Sequence, residues 1–251
     1  ADSLYYGTQS LSGALSRLEF KESHGLHLQK GVMTFRWKEQ ALSLPHIAFE
    51  TSHSSINGHL HISPHSNSET SIDGNLKARI GYSDIMELSK NMSDKAKQSA
   101  SLYPNETLNI AIAINGSEKL LQIRQCDITL PTAFDIALNG AAHQFTDPQL
   151  REIQCDWDVH TYSLNFLTPF ISDVQPQRFN IPYGINYRGH SYYATDTLYT
   201  RCTLTLNQGS ATIEGGYCPN NRNYTLAIAT DSLDLHAIIP HSKLGEVSLQ
   251  S

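Results

Sequence analysis

What most constrains this chain is a period of two, repeated through one strand-length run after another. Leu108, Ile110, Ile112 and Ile114 alternate with small or polar residues, as do Phe134, Ile136 and Leu138, then Cys202, Leu204 and Leu206, then Tyr224, Leu226 and Ile228. In extended backbone, successive side chains point to opposite faces. Each such run therefore has one apolar face and one wet face. Earlier runs read the same way: Met33, Phe35 and Trp37; Leu42 and Leu44; Ile56, Leu60 and Ile62; Ile72, Leu76, Ala78 and Ile80. The pattern predicts a mainly β chain. The question it poses is what covers the apolar faces: a second sheet, or something that is not protein.

Residues 1–30 are weakly patterned, with Leu4, Leu11, Leu15, Leu18 and Phe20 as their apolar positions, and strands are expected from Gly31 onward. Pro45 lacks the N–H a ladder needs, so its strand is expected at an edge or bulged. Later strands are predicted at 107–115, 119–130, 132–142, 152–164, 179–189, 197–206, 209–217 and 222–230. Turns are read near Lys38–Gln40, at Asn115-Gly116, at Asn207-Gln208-Gly209 and at Cys218–Asn221. One segment breaks the alternation. Ile85, Leu88, Met92 and Ala96 fall at helical spacing, Asp84 with Glu87 resembles a capping box, and Pro104 ends the run, so one amphipathic helix is predicted over about 84–101. Its narrow apolar stripe suits docking on a rim rather than burial in a core. Single helical turns are expected at Asp147-Pro148 and from Asp231-Ser232-Leu233, where Leu235, Ile238 and Ile239 precede Pro240. No linker rich in Pro, Gly and Ser divides the chain. Residues 31–251 are thus expected to form one continuous unit, an extended, curled antiparallel meander.

Hydrophobic residues make up 39% of the 251, below the roughly 45–50% of a typical globular domain, which argues against a thick multilayer core. The net charge of −6 and the lack of a basic stripe speak against nucleic acid as a partner. Cys126, Cys155, Cys202 and Cys218 form no C-x-x-C pair, so a zinc ribbon or redox dithiol is not expected. Disulfides joining Cys126 to Cys155 and Cys202 to Cys218, or four half-buried free thiols, both fit the spacing. No apolar run reaches the ~18 residues of a membrane span, and no signal-peptide pattern is present. The chain, opening at Ala1, is read as a mature protein or, in preference, a piece of something longer.

Few constellations suggest chemistry. His59 and His61 point the same way on one strand, with His65 nearby, but no third ligand follows at fixed spacing. Asp156 and Asp158 flank Trp157 and are read as a wet strand face in preference to a carboxylate pair acting on sugars. Tyr183, Tyr187, Tyr192, Tyr193, Tyr199, Tyr217 and Tyr224 are read as half-buried packing in preference to a carbohydrate platform. The sequons at Asn91, Asn105, Asn115 and Asn223 show no common placement and are taken as chance products of composition. No G-x-S-x-G, H-E-x-x-H or phosphate loop occurs. The expectation is a non-enzymatic protein without metal or cofactor.

The stretch Phe20–Ile62, with its glycine-led strand from Gly31, its Leu42-x-Leu44 strand and Thr51–Gly58, resembles the repeating strand units of the AsmA-like superfamily, specifically TamB-type proteins of Bacteroidetes. Tyr82–Leu88 is similar to the short helical segment interrupting those strands, and Asp127–Leu138 to the strand pair that follows. Gly209–Tyr217, Tyr224–Thr230 and Leu233–Leu235 resemble the closing unit most closely. The histidines, the cysteines and the tyrosine-rich stretch at 183–199 depart from the family pattern.

The resemblance implies a sheet U-shaped in section, standing in the periplasm as part of a longer protein anchored in the inner membrane. Its apolar groove would carry phospholipid acyl chains toward the outer membrane. The groove lining would include Leu108, Ile110, Ile112, Ile114, Phe134, Ile136, Leu138, Leu204, Leu206, Ile213, Leu226 and Ile228, with the helix as a cap or rim. Contact with both membranes would come through parts of the protein outside this chain. Two alternatives stand beside it. One is a translocation and assembly factor for outer-membrane proteins, meeting its partner at open sheet edges. The other is a closed all-β adhesin or carbohydrate-binding module. Open edges would also allow an edge-to-edge homodimer.

Overall fold

The computed structural model describes residues 3–7, 9–21, 27–64, 70–88, 93–171, 184–207, 209–234 and 246–249. Their strands are β1 (Ser3–Gly7), β2 (Ser10–Lys21), β3 (His27–Lys38), β4 (Ala41–Thr51), β5 (Ser55–Pro64), β6 (Thr70–Gly81), β7 (Thr107–Ser117), β8 (Leu120–Leu130), β9 (Phe134–His143), β10 (Glu152–Thr161), β11 (Ile185–Ala194), β12 (Thr197–Leu206), β13 (Gly209–Cys218), β14 (Asn223–Asp234) and β15 (Glu246–Leu249). All fifteen belong to one sheet, ordered as in the chain, with every neighbour antiparallel. β1 and β15 do not pair with each other, so the sheet is an open meander and not a barrel.

A twist of about 20° per strand, accumulated over this many strands, forces a sheet to coil. Two glycines sit where neighbouring backbone comes close. A Cβ on Gly58 would lie 2.4 Å from the Asn75 carbonyl oxygen, and one on Gly140 would lie 2.3 Å from that of Gln154. Both positions face the side that carries the alternating apolar residues. Neighbouring backbone crowds in at both, and only glycine leaves room.

Strands begin at Ser3, not at Gly31. β1, β2 and the start of β3 occupy the weakly patterned segment, and bulges at Leu15/Leu18 and Leu18/Phe20 explain why its alternation reads poorly. β4 is paired on both sides and bulged between Leu44 and Ile47, around Pro45. The hairpin loop Glu39-Gln40 has both φ values positive, at 49° and 68°, as does Thr195-Asp196 at 49° and 58°, which matches the two-residue turns that suit strand twist. Asn115-Gly116 is not a turn. It lies inside β7, and the reversal comes at Glu118-Lys119.

The predicted single helix is two helices, α1 (Tyr82–Leu88) and α2 (Asp94–Ser101), with 89–92, including Met92 and the Asn91 sequon, outside the described residues. Ser93 caps α2, its hydroxyl accepting from Ala96 N at 3.3 Å. Asp84 does not cap a helix. Its carboxylate, 6% exposed, accepts hydrogen bonds from the hydroxyls of Thr51 and Ser54 in the β4–β5 turn, and Ser54 Oγ in turn accepts from Gly81 N at 3.0 Å. β10 stops at Thr161, and a 3-10 turn (Asn165–Leu167) leading into α3 (Thr168–Ile171) follows it. Asp147-Pro148 forms a hydrogen-bonded turn, with Asp147 Oδ1 accepting from Gln149 N at 2.9 Å. Asp231–Asp234 continues β14 instead of turning helical. The expected strand at 179–189 is β11 at Ile185–Ala194. Tyr183, His65, Leu235, Ile238, Ile239 and Pro240 lie outside the described residues.

Large side chains are buried together at one place only among the described residues. Leu164, Ile185 and Leu206 form a cluster flanked by Phe166, Tyr187 and Leu204. The accessible surface is 16013 Å², against about 11,000 Å² for a compact monomer of 27.9 kDa. The chain is a coiled single layer, and a two-layer sandwich is not its architecture.

Candidate functional site: the apolar face

Residues opposite each other on antiparallel neighbours point to the same side of a sheet. One such row runs Phe49, Ile56, Ala78, Ile110, Ile128, Ile136, Val159, Tyr187, Leu204, Ala211. The next runs Met33, Ile47, Gly58, Leu76, Ile112, Cys126, Leu138, Trp157, Gly189, Cys202, Ile213, Ile228. Ile114 and Leu226 lie in a third row, while Leu108, Phe134 and Leu206 lie at the end nearest the helices. All twelve residues named from the sequence therefore share one face. The bulge at Arg124, where Ala113 pairs with Gln125 and Ile114 with Ile123, keeps β8 in phase.

The opposite face is wet and ionic. Arg188 pairs with Asp158 at 2.6 Å, His190 with Asp156 at 2.8 Å, Arg201 with Glu214 at 3.0 Å, Lys30 with Glu50 at 3.0 Å and His59 with Asp73 at 3.1 Å. Asp156 and Asp158 are thus each matched to a cation across the strand, and Trp157 points away from them. Its Nε1 donates to Ser191 Oγ at 3.1 Å on the apolar side. His59 and His61 share the wet face, and no group of metal-ligating side chains is present among the described residues. The tyrosines form no single platform. Tyr187, Tyr193, Tyr217 and Tyr224 lie on the apolar face, while Tyr192 and Tyr199, opposite each other, lie on the wet one.

The four cysteines are free and half-buried. β9 separates Cys126 from Cys155, and Cys202 and Cys218 lie on opposite faces, so neither proposed bridge can close. Burial raises the thiol pKa of Cys126, Cys155 and Cys202, with neighbouring Asp127 adding to the first and Asp156 to the second. Burial likewise raises that of the Tyr187 phenol. These groups are neutral near pH 7 and serve the face as apolar surface.

Protein covers this face at one end. Phe166 packs edge-on against Phe134 with ring centroids 5.2 Å apart, and the 3-10 turn carrying it is tied to α2 by Ser99 Oγ donating to the Phe166 carbonyl at 2.7 Å. Leu206 is 8% exposed beneath Leu164. Of the expected lining, Phe134 and Leu206 are therefore under protein rather than open. Beside α1, Leu28, Phe49, Ile56 and Ile80 line a cavity of about 190 Å³, with Thr51, Ser54 and Asp84 also on its wall. Toward β14 the face lies bare, with Tyr217, Tyr224, Leu226 and Ile228 at 46, 79, 63 and 44% exposure.

Sequence reasoning missed the contribution of β3–β6 and β10 to these rows: Met33, Ile47, Phe49, Leu76, Trp157 and Val159. The alternation was there, but their alignment depends on strand register. Comparison with known proteins finds no match, whether family model, characterised protein or solved structure.

Proposed function

We propose that this chain is a segment of a periplasmic bridge-like lipid-transport protein, its apolar face carrying phospholipid acyl chains toward the outer membrane. One observation carries the reading: rows of apolar side chains cross strand after strand on one side of a curled sheet, and among the described residues no second sheet covers them. Leaving that surface to water costs about 25 cal/mol per Å², and hydrocarbon tails laid along it recover that cost. The contacts are non-directional and blind to headgroup. A continuous strip of such contacts suits sliding better than tight capture. The ionic outer face keeps the layer in solution, and the AsmA-like motifs of the sequence agree with this division of faces.

The cysteines supply the test. Cys126, Cys155 and Cys202 lie on the apolar face and Cys218 on the wet one. Short-chain phospholipid is expected to slow alkylation of the first three severalfold and leave Cys218 unchanged, with phospholipid recovered in extracts of the purified chain. Equal protection of all four thiols, or of none, would sink the reading.

A further inference from the structure

We propose that the wet face carries a second binding site, an open trough over β11–β14 that takes a neutral oligosaccharide. Two neighbouring cross-strand rows build it. One runs Asp156, His190, Arg201, Glu214 and is ionic. The other runs Tyr192, Tyr199, Gly216, Thr225 and brings two phenol rings side by side. Gly216 makes the hollow. A Cβ there would lie 2.9 Å from Thr225 Oγ1 and 3.3 Å from Tyr199 Cδ1, so the gap has a hydroxyl on one flank and an aromatic ring on the other. Ala227, opposite Glu214, keeps the floor low beside the ionic row. The larger side chains of both rows stand around that floor and enclose about 390 Å³. Ordinary small-molecule sites hold roughly 300–1,000 Å³.

The chemistry of the wall selects the ligand. A pyranose ring has an apolar C–H face and a rim of hydroxyls. The electron-rich face of a tyrosine suits the first, and Tyr199 is 53% exposed. Carboxylate, guanidinium and imidazole groups, which accept and donate side by side, suit the second. Arg201 Nε meets Glu214 Oε1 at 3.0 Å, and His190 Nδ1 meets Asp156 Oδ1 at 2.8 Å. Each basic group therefore already has its acid, and no net positive charge is left to attract phosphate or nucleic acid. The Arg201 and Glu214 side chains are 74 and 51% exposed, so the atoms their pairing leaves over are open to a ligand. A neutral ligand rich in hydroxyls answers both rows. A second hollow, of about 540 Å³, begins in the next row on the same face and is lined by Asp158, Asn186, Arg188, Thr203 and Thr205. Its wall is polar throughout, and a sugar chain longer than the trough extends into it. The site uses the face opposite the apolar rows and does not depend on the acyl-chain reading.

The test titrates cellotetraose, chitotetraose and maltotetraose separately into the 251-residue chain by calorimetry. At least one is expected to bind with a Kd on the order of 0.1–1 mM. Tyr199→Ala is expected to weaken that binding roughly tenfold or more, with the urea midpoint unchanged because the side chain is exposed. Tyr199→Phe keeps the ring and is expected to retain most of the affinity. Glu214→Gln, at an exposed pair, is expected to weaken binding severalfold and tests the ionic row independently of the ring. Tyr224→Ala, on the opposite face, is expected to change nothing. Absence of binding by all three sugars up to about 10 mM overturns the proposal. So does binding that survives both Tyr199→Ala and Glu214→Gln, or that Tyr224→Ala weakens as much as they do.

Discussion

Two parts of the same apolar face have met different fates. Over β9–β12, next to the helices, Leu164 and Phe166 fold down onto Phe134, Ile185 and Leu206, and the side chains there are packed as in any small core. Over β13 and β14, the same alternation produces Tyr217, Tyr224, Leu226 and Ile228, and water reaches all of them. Nothing in the strands themselves distinguishes the two. The difference lies in the connections. The chain between β10 and β11 is long enough to turn back over the sheet, whereas β12, β13 and β14 are joined by short turns that keep to the edge. Alternation builds an apolar face, and only a long connection covers it.

The contrast can be broken most forcefully at Leu206. Leu206→Ala is expected to cost about 2–5 kcal/mol, because it opens a hole among Leu164, Ile185 and Phe166. Leu226→Ala, the same chemical change on the bare part, is expected to stay within about 0.5 kcal/mol. Urea unfolding of the two variants decides, and equal costs would mean that β14 is covered. Asp84→Ala comes next. Removing the buried acceptor strands the hydroxyls of Thr51 and Ser54, and a loss of about 1–3 kcal/mol is expected by the same measurement. Leu226→Asp sharpens the comparison from the functional side. Fold stability is expected to hold while phospholipid binding falls roughly tenfold, about 1.4 kcal/mol, as read by lipid cross-linking. The smallest effect is expected on the wet face. Arg188→Ala breaks an exposed pair with Asp158 and should cost under about 1 kcal/mol, shrinking further as salt is added.

Much of the fold could be read from residue types. β12 was predicted at its observed limits, and β7, β8, β9 and β13 to within two residues at each end, because alternation runs the length of each apart from the single bulge at Arg124 in β8. The readings that failed did so where local signals conflict with tertiary contacts. Asp84 beside Glu87 looks like a helix cap, yet the β4–β5 turn offers two hydroxyls to the carboxylate, and it takes them. Asn115-Gly116 looks like a hairpin turn, yet its backbone extends inside β7 with Gly116 at φ 136°. Asp231–Asp234 looks like a helix start, yet β15 is there to pair with it. Leu206 and Phe134 look like the rest of the apolar face, and their covering by Leu164 and Phe166 leaves no trace in the alternation around them.

Which residues point to the same side of a strand is a local matter, settled by the two-residue repeat of extended backbone, and the order of the residues was sufficient for it. Which strands align those sides into rows depends on register, since a shift of one residue sends a whole strand's apolar set to the other face. Which stretch of the resulting surface stays bare depends on where a distant connection comes to rest. Those two matters are fixed by contacts between residues far apart in the chain, and the tertiary structure alone decided them.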